Sequence, residues 1–100
     1  MKNILSPFHL AFPVKDIEET INFYSDILGC SQGRANEKWI DFNFFGHQIT
    51  AHLSPESFSL EDITNAVDGK NVPVRHFGLI LDWEDWHKIK DRLIKQKVTF

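Results

Sequence analysis

The sequence has little that would place the protein outside the cell, in a membrane or on nucleic acid. It has one cysteine, Cys30, which excludes an internal disulfide and favours a reducing compartment. No apolar run approaches the roughly 20 residues of a membrane-spanning helix, and residues 1–7 are too short and too polar for a signal peptide. The formal net charge of -3, without any basic run, gives no electrostatic reason to expect nucleic acid or an anionic membrane as partner. We therefore predict a cytoplasmic protein that binds neither.

The motifs of several enzyme classes are missing as well. The chain has no glycine-rich phosphate-binding loop, no nucleophile elbow and no Cys-x-x-Cys pair. Cys30 follows the predicted end of a helix, where the helix dipole raises the pKa of a thiol, so we expect a poor nucleophile. The remaining candidates for chemistry are the histidines, of which there are five.

Aromatic residues are what the sequence has in abundance. One hundred residues with 42% hydrophobic content are enough for one domain with a hydrophobic core, but not for a second domain. Nine Phe and three Trp are plentiful for this size, and large rings fill the space between a curved sheet and its helices. The composition therefore predicts a pocket as well as a core.

Residues 1–53 are predicted to form a β-α-β-β-β unit. Residues 8–14 alternate as a strand whose less apolar face carries His9. Asp16 is a predicted N-cap, followed by apolar residues at helical spacing. Gly29 supplies the left-handed residue that ends the helix.

Two further strands are predicted on either side of a turn at Gly46. Alternation over residues 38–45 and 47–53 separates an apolar face from a polar one. The apolar face comprises Ile40, Phe42, Phe44, Ile49, Ala51 and Leu53. The other face comprises Trp39, Asp41, Asn43, Phe45, Gln48, Thr50 and His52. We expect this second face to look toward the same cavity as His9.

The rest of the chain is predicted to be a linker followed by the start of a second unit. The linker covers residues 54–73, where Pro, Ser, Asp and Gly interrupt regular structure, with room for a turn of helix around 60–67. The second unit covers residues 74–100. It is predicted to contain a strand at 75–81, a helix at about 83–95 and the beginning of a strand at 97–100.

His9 and His76 occupy equivalent contexts in the two units. Each opens an apolar run that leads into an amphipathic helix. If the two strands pair across a pseudo-twofold axis, the two imidazoles meet at one point, which is a suitable geometry for a metal ion. A lone strand histidine more often bonds to a backbone carbonyl, and the matched context of the pair is what favours the metal.

The stretch from His9 to Cys30, with Phe23-Tyr24-Ser25-Asp26-Ile27-Leu28-Gly29 closing its helix, resembles the first module of the glyoxalase/bleomycin-resistance/dioxygenase family. This family belongs to the vicinal oxygen chelate superfamily. Residues 75–100 resemble, more weakly, the start of the second module. The resemblance implies an α+β fold of paired β-α-β-β-β modules whose curved sheets form a cleft, with a single domain over residues 1–100.

The resemblance also implies a metal site. His9 and His76 match the family's metal positions on the first strands of the two modules. A carboxylate from the last strand of the second module completes the family's site, and we expect that strand to lie beyond Phe100, which leaves the second module incomplete. Two His and one carboxylate suit several divalent ions. Fe(II) is favoured, with Mn(II), Ni(II) or Zn(II) as alternatives.

Members of the resembled family bind two neighbouring substrate oxygens at the metal. We favour extradiol-type dioxygenase chemistry on an aromatic diol, because two His would complete a two-His-one-carboxylate set and aromatic side chains are abundant. Glyoxalase-like isomerisation is the second possibility. A non-catalytic protein that sequesters a drug is the third. The expected partners are a small-molecule substrate, for which an aromatic compound is one candidate, and a second copy of the chain in a homodimer.

Several residues on the polar strand face are further site candidates. His52 is interpreted as a catalytic pocket residue, either a proton acceptor or a further ligand, although the register could equally place Thr50 or Gln48 there. Trp39, Asp41, Asn43, Phe45 and Thr50 are the predicted substrate pocket. A solvated strand face is about as probable for Asp41 and Asn43.

Overall fold

A curved four-stranded sheet with a helix on one face makes up the larger part of the structure, a computed structural model that describes residues 6–58 and 64–100. The elements, in chain order, are β1 (His9–Val14), α1 (Ile17–Ile21) with a π-helical continuation (Asn22–Ile27), β2 (Ser31–Ala35), β3 (Trp39–Phe44), β4 (His47–Leu53), α2 (Pro55–Phe58), β5 (Thr64–Val67), β6 (Lys70–Pro73) and α3 (Trp83–Lys95). The predicted α+β class is confirmed.

The sheet has the strand order β1-β4-β3-β2. β1 runs parallel to β4, whereas β4, β3 and β2 are antiparallel neighbours. A parallel pair needs a crossover connection, and α1 with its continuation lies in that connection. The β-α-β-β-β order predicted within residues 1–53 is therefore confirmed from His9 to Leu53.

The core lies between this sheet and the first helix. The buried apolar residues are Val14, Cys30, Ile40, Phe42, Phe44, Ile49 and Ala51, and the partly buried ones packed against them include Leu10, Phe12, Ile17, Ile21, Tyr24 and Leu28. The predicted apolar face and helical stripe are thus confirmed. Leu53 is the exception, because it ends β4 and is 38% exposed.

The first helix begins and ends as predicted. Asp16 is the N-cap, and its Oδ1 accepts a hydrogen bond from the Glu19 backbone N–H at 2.8 Å. Gly29 has a φ of +81°, the left-handed conformation that ends a helix at little steric cost. The π-helical continuation over Asn22–Ile27 was not predicted, since sequence spacing alone does not reveal a change of helical pitch.

The turn between β3 and β4 corrects the predicted position of Phe45. Phe45 and Gly46 both have positive φ, at 52° and 91°, so they form the two-residue turn that matches strand twist. Strand alternation therefore stops at Phe44, and the Phe45 ring packs edge-on against the Phe44 ring, with centroids 5.3 Å apart. Phe45 consequently does not share the polar face of Asp41 and Asn43.

The region predicted as a linker contains regular structure. α2 occupies four residues, and β5 and β6 form an antiparallel hairpin. The predicted turn of helix at 60–67 lies partly outside the described residues, but over Thr64–Val67 the chain is a strand, so that prediction is wrong there. Asp68 and Gly69 take φ values of 50° and 76°, because an Asp-Gly pair readily forms a hairpin turn.

The second unit matches its prediction only in the helix. α3 spans Trp83–Lys95, and the Asp82 side chain caps it by accepting from the Asp85 backbone N–H. The strands predicted at 75–81 and 97–100 are wrong: both segments lack strand structure. A strand requires a hydrogen-bonded neighbour, and none lies beside these two segments in the part of the chain that is described.

α3 joins the first unit at one end. The Arg92 guanidinium donates hydrogen bonds to the backbone carbonyls of Ile27 and Asp26, at the C-terminus of the first helical segment. A cation there compensates the helix dipole. Within residues 6–58 and 64–100, no helix has the length and apolarity to cross a bilayer.

Candidate functional site

The sheet surface opposite the core carries most of the predicted site residues. Cross-strand pairing arranges β1, β4 and β3 in three rows whose side chains share this surface, which we call the polar face. The rows are His9, Gln48 and Asn43; Ala11, Thr50 and Asp41; and Pro13, His52 and Trp39. The expectation that the polar residues of β3 and β4 share a surface with His9 therefore agrees with the register.

The register also decides which β4 residue lies beside His9. Gln48 pairs directly with His9, whereas His52 pairs with Pro13, four residues further along β1. Four residues of a strand span about 13 Å, whereas two nitrogens bound to one metal ion lie within about 4 Å of each other. Gln48, not His52, is therefore the β4 residue that lies beside His9, where both could bind the same metal ion.

Asp41 lies at the centre of a hydrogen-bonded group on the polar face. Its Oδ1 accepts from the Thr50 hydroxyl at 2.6 Å, and its Oδ2 accepts from Gln48 Nε2 at 3.1 Å and from Arg34 Nε at 3.3 Å. Asp41 is only 5% exposed. We call Arg34, Asp41, Gln48 and Thr50 the Asp41 group.

The hydrogen bonds decide the charge state of Asp41. The Thr50 hydroxyl has the largest influence and outweighs burial, which acts in the opposite direction. Arg34 and Gln48 add to the effect of Thr50, so the pKa of Asp41 is held below its ordinary value. Asp41 is thus ionised at neutral pH, and two of its three partners, Arg34 and Gln48, are exposed.

The remaining predicted pocket residues have distinct positions. Trp39 is half-buried, and the Arg34 guanidinium lies over its ring at 5.6 Å from the centroid. Asn43 is exposed, and its Oδ1 accepts from the Gly46 backbone N–H. His52 is exposed at the end of its row. Arg34 was not predicted, because its partnership with Asp41 depends on a strand register that the sequence does not reveal.

His76 lies beside β1 and borders the same cavity as Ala11 and Pro13 of the polar-face rows. Its ring is exposed, and Nδ1 is 2.6 Å from the Pro73 carbonyl oxygen. Arg75, His76 and Phe77 border an open cavity of about 890 Å3. The other walls of this cavity come from β1, the first helix and the end of β3 and include Leu10, Phe12, Phe23, Tyr24 and Phe44. The aromatic side chains that line this cavity or the core are Phe12, Phe23, Tyr24, Phe42, Phe44 and Phe77.

The side chains near His9 carry donor atoms of the types that bind a divalent metal. Imidazole nitrogens and an amide oxygen are suitable ligands for first-row metals. The donors are too few for a complete site, because no group of three His, Cys, Asp or Glu side chains within the described ranges could hold an ion. His9 and Gln48 provide one side of a possible site, and any further ligands must come from elsewhere.

Two other side chains with chemical potential belong to the core. Burial raises the pKa of Tyr24, whose ring packs against Phe12 and Phe42. Burial also raises the pKa of the Cys30 thiol, and the nearby Arg92 charge opposes this only in part. Both groups are therefore neutral at physiological pH, which agrees with the expectation that Cys30 is a poor nucleophile.

Comparison with known proteins shows the class to which this fold and site belong. The family model of the Glyoxalase/Bleomycin resistance protein/Dioxygenase superfamily matches residues 6–100. The chain belongs to this superfamily. Its members typically bind divalent metals and small molecules and form oligomers. The chain is accordingly a metal-dependent enzyme or a binding protein of this fold.

Several solved structures resemble the chain. A glyoxalase/bleomycin resistance protein/dioxygenase from Alicyclobacillus acidocaldarius is 30% identical with a TM-score of 0.75, and the match covers 100% of this chain and 70% of that protein. The genomically encoded fosfomycin resistance protein FosX of Listeria monocytogenes is 21% identical with a TM-score of 0.63, over 98% of this chain and 69% of that one.

A third similar structure is an integron cassette protein from the mobile metagenome of the Halifax Harbour sewage outfall. It is 20% identical with a TM-score of 0.67, and the match covers 93% of this chain and 72% of that protein. A search of curated proteins found no match. The two less similar structures support the fold alone.

Proposed function

We propose that the protein is a divalent-metal-dependent enzyme that acts on a small substrate with two neighbouring oxygens, and that His9 and His76 are its metal ligands. The observation that carries the proposal is the position of His9. Its imidazole is exposed on the polar face with the Gln48 amide directly opposite, whereas the buried face of the same sheet is apolar. Superfamily membership supports the metal.

The hydrogen bond of His76 suits a ligand role. A metal-bound histidine usually donates its other ring N–H to a carbonyl or carboxylate, which fixes the tautomer and the ring orientation. The contact between His76 Nδ1 and the Pro73 carbonyl provides such a partner, and it leaves Nε2 for the metal. We propose Fe(II), with Mn(II), Ni(II) or Zn(II) as alternatives, because imidazole suits all four.

A bound divalent ion would supply Lewis acidity toward the two substrate oxygens. Residues of the polar face would orient the substrate, with Trp39, Asn43 and Thr50 as the proposed contacts and Asp41 acting through its partners. His52 is a proposed proton acceptor for the part of a substrate that extends along β4. Because His52 lies about 13 Å from the His9 row, its role requires a substrate that spans that distance.

Ring cleavage of an aromatic diol is the reaction we propose first, and isomerisation of a glyoxalase type is second. The aromatic content supports the first reaction less than expected, because Trp39 is the aromatic residue of the three polar-face rows, whereas six other rings lie in the core or border the cavity beside β1. Oxygen uptake with catechol and Fe(II) would support cleavage. Conversion of a hemithioacetal without oxygen uptake would support isomerisation.

A non-catalytic binding protein of the same fold is the second candidate. The specific observation in its favour is the shortage of ligands, since the described residues contain no three-ligand group, while the cavity of about 890 Å3 beside β1 has apolar and aromatic walls. Such a protein would bind an aromatic compound without metal. FosX, one of the similar structures, is a resistance protein, so a drug is a reasonable probe for this candidate.

Metal analysis distinguishes the two candidates. Protein purified after loading with Fe(II), Mn(II), Ni(II) or Zn(II) is expected to retain one ion per site, and His9→Ala or His76→Ala is expected to lose it. His87→Ala is the matched control, because the His87 ring on α3 packs against the rings of Trp83 and Trp86, and α3 is not part of the sheet. Protein that retains no metal yet binds an aromatic compound would exclude the enzyme proposal.

We also propose that the protein is a homodimer. Large apolar side chains of the C-terminal region are exposed, among them Ile80 at 105%, Trp83 at 79% and Phe100 at 79%. Large exposed apolar side chains are typical of interfaces when they cluster, and a second copy could also contribute the ligands that the polar face lacks. Analytical ultracentrifugation should show twice the 11.7 kDa chain mass, and a monomer at all concentrations would contradict the proposal.

A further inference from the structure

We propose that the polar face carries a binding site for the carboxylate of a small molecule, in which Arg34 supplies the positive charge and Gln48 and Asn43 supply amide N–H donors. The inference rests on the proposed function in one respect, that the polar face receives a small molecule. It does not depend on a metal ion, so it applies equally to an enzyme and to a binding protein.

A β-bulge in β2 places Arg34 on the polar face. Gln32 and Ala35 each pair with a buried residue on the apolar face of β3. The two residues between them, Gly33 and Arg34, lie opposite the single residue Asp41. Strict alternation from Gln32 would turn Arg34 toward the apolar face, and the extra residue turns it to the face of Asp41 instead. Bulges are common beside functional sites because they re-aim a side chain in this way.

Gly33 leaves room for this arrangement. A Cβ built on Gly33 would lie 3.2 Å from the Asp41 Cβ, which is tighter than Cβ contacts usually are. The space beside Asp41 is therefore left to Arg34, whose Nε donates to Asp41 Oδ2 at 3.3 Å and whose guanidinium lies over Trp39. These two contacts favour one orientation of the guanidinium, although the Arg34 side chain is 79% exposed.

The hydrogen bonds of Asp41 leave several N–H donors for a ligand. Arg34 Nε and Gln48 Nε2 donate to the same oxygen, Asp41 Oδ2, so the two nitrogens are neighbours. The guanidinium retains Nη1 and Nη2, which form no hydrogen bond with residues 6–58 or 64–100, and the Gln48 amide retains its second N–H. Asn43 pairs with Gln48 across the strands and accepts at Oδ1 from the Gly46 backbone N–H, which leaves its Nδ2 donors.

The charges at this place favour a carboxylate. Arg34 is a permanent cation, so it attracts an anion and repels a metal ion. The ionised Asp41 beside it offsets part of that attraction. The desolvation cost of an anion rises with the square of its charge, whereas its attraction to one cation rises only in proportion, so a monoanion is favoured over a dianion. The paired nitrogens Nη1 and Nη2 also match the two oxygens of a carboxylate.

The three donor side chains border one open cavity. It has a volume of about 310 Å3, and its lining includes Gly33, Arg34, Asn43 and Gln48. This volume suits a small ligand. The cavity shares no lining residue with the larger cavity beside β1. Gln48 also pairs with His9, so a carboxylate bound here would lie next to the row of the proposed metal ligand.

The experiment is an NMR titration of the protein with benzoate, without added metal. Benzamide, which has the same ring and no charge, is the matched probe, and phenyl phosphate, which carries nearly two negative charges at neutral pH, tests a dianion. We expect benzoate to shift the side-chain N–H signals of Arg34 and Gln48 and to bind about tenfold more tightly than benzamide. Equal binding of benzamide, or tighter binding of phenyl phosphate, would overturn the inference.

Substitutions of Arg34 test whether charge and shape are both needed. Arg34→Gln should weaken benzoate binding about tenfold, and Arg34→Lys, which keeps the charge without the paired nitrogens, should lie between. Lys88→Gln is the matched control, because it changes the net charge equally on α3, where Lys88 is exposed and paired with Glu84. Urea unfolding identifies any variant that fails to fold. Unchanged affinity in Arg34→Gln, or an equal loss in Lys88→Gln, would contradict the site.

Failure of this inference and failure of the proposed function are distinguishable. If Arg34→Gln keeps its benzoate affinity while His9→Ala loses a metal ion that the unsubstituted protein retains, the carboxylate site is wrong and the metal proposal stands. If Arg34→Gln loses benzoate affinity and the unsubstituted protein retains no metal, the carboxylate site stands and the metal-dependent enzyme is excluded. Absence of benzoate binding by the unsubstituted protein would overturn the inference whatever the metal result.

Discussion

Residues 9–53 and residues 64–100 have similar sequence patterns but different structures. The first region forms a four-stranded sheet covered by a helix, and this region contains every buried residue of the part of the chain described here. The second region has an equally clear amphipathic helix, but no residue from 64 to 100 is buried. The difference shows that a helix can form from local sequence, whereas an apolar strand needs neighbouring strands to form and to become buried.

Core substitution should show the largest difference between the two regions. Phe42 is 1% exposed, and Phe42→Ala is expected to lower the free energy of unfolding by about 3–5 kcal/mol because it leaves a cavity. Trp86, which is 50% exposed on α3, is the matched aromatic residue, and Trp86→Ala should cost less than about 1 kcal/mol. Urea unfolding measures both. Equal losses would show that the second region has a core of its own.

Acid should weaken the first region through Asp41. The pKa of Asp41 is lowered in the folded state, so its contribution to stability is present above the unfolded-state value of 3.8 and is lost as the pH falls through the folded-state value below it. At pH 7, Asp41→Asn should lower the free energy of unfolding by about 1–3 kcal/mol. The difference from the unsubstituted protein should shrink below about pH 4. A difference that persists unchanged at pH 2 would contradict this account.

Two glycines with left-handed backbone offer a matched pair of turns. Gly46 joins β3 to β4 with φ at 91°, and Gly69 joins β5 to β6 with φ at 76°; neither has an atom within 4 Å of an added Cβ. Alanine in either position is strained by about 1–2 kcal/mol. Gly46→Ala should lower global stability by this amount, whereas Gly69→Ala should change only amide exchange in its own hairpin. An equal global loss from Gly69→Ala would contradict the comparison.

Helix capping should show the smallest difference. Asp16 and Asp82 each accept a hydrogen bond from a backbone N–H at 2.8 Å. Loss of either cap costs about 1 kcal/mol. Asp16→Ala should reduce global stability, because the first helix covers the core, and Asp82→Ala should mainly speed amide exchange at the start of α3. Hydrogen exchange with mass spectrometry compares them, and cooperative destabilisation by Asp82→Ala would show that α3 folds with the sheet.

Residues close together in the sequence were sufficient to predict where several helices begin or end. The cap at Asp16, the stop at Gly29 and the bounds of α3 at Trp83 and Lys95 were predicted from residues within one turn of each site. The hairpin at Asp68-Gly69 was missed although its signal was present, because the polar composition of residues 54–73 was interpreted as a linker. The strand predicted at 75–81 is absent for a different reason: residues that favour a strand still need a neighbouring strand with which to form hydrogen bonds.

The candidate site was predictable in part. Alternation placed His9, Thr50 and His52 on the polar face, because strand side chains have a period of two. Alternation could not align β1 with β4, so it could not choose between His52 and Gln48 as the neighbour of His9. The ligand roles of His9 and His76, the division into two modules and the homodimer stay predictions.

The sequence by itself determined the start of the first helix, the bounds of α3, the two faces of the sheet and the superfamily, because caps, periodicity and a local signature depend on residues close together in the chain. Only the tertiary structure decided that Gln48 lies opposite His9 and that Asp41 is enclosed by Arg34, Gln48 and Thr50. Those facts depend on register. Register is set by how the apolar faces of several strands pack together, and no single strand contains that information.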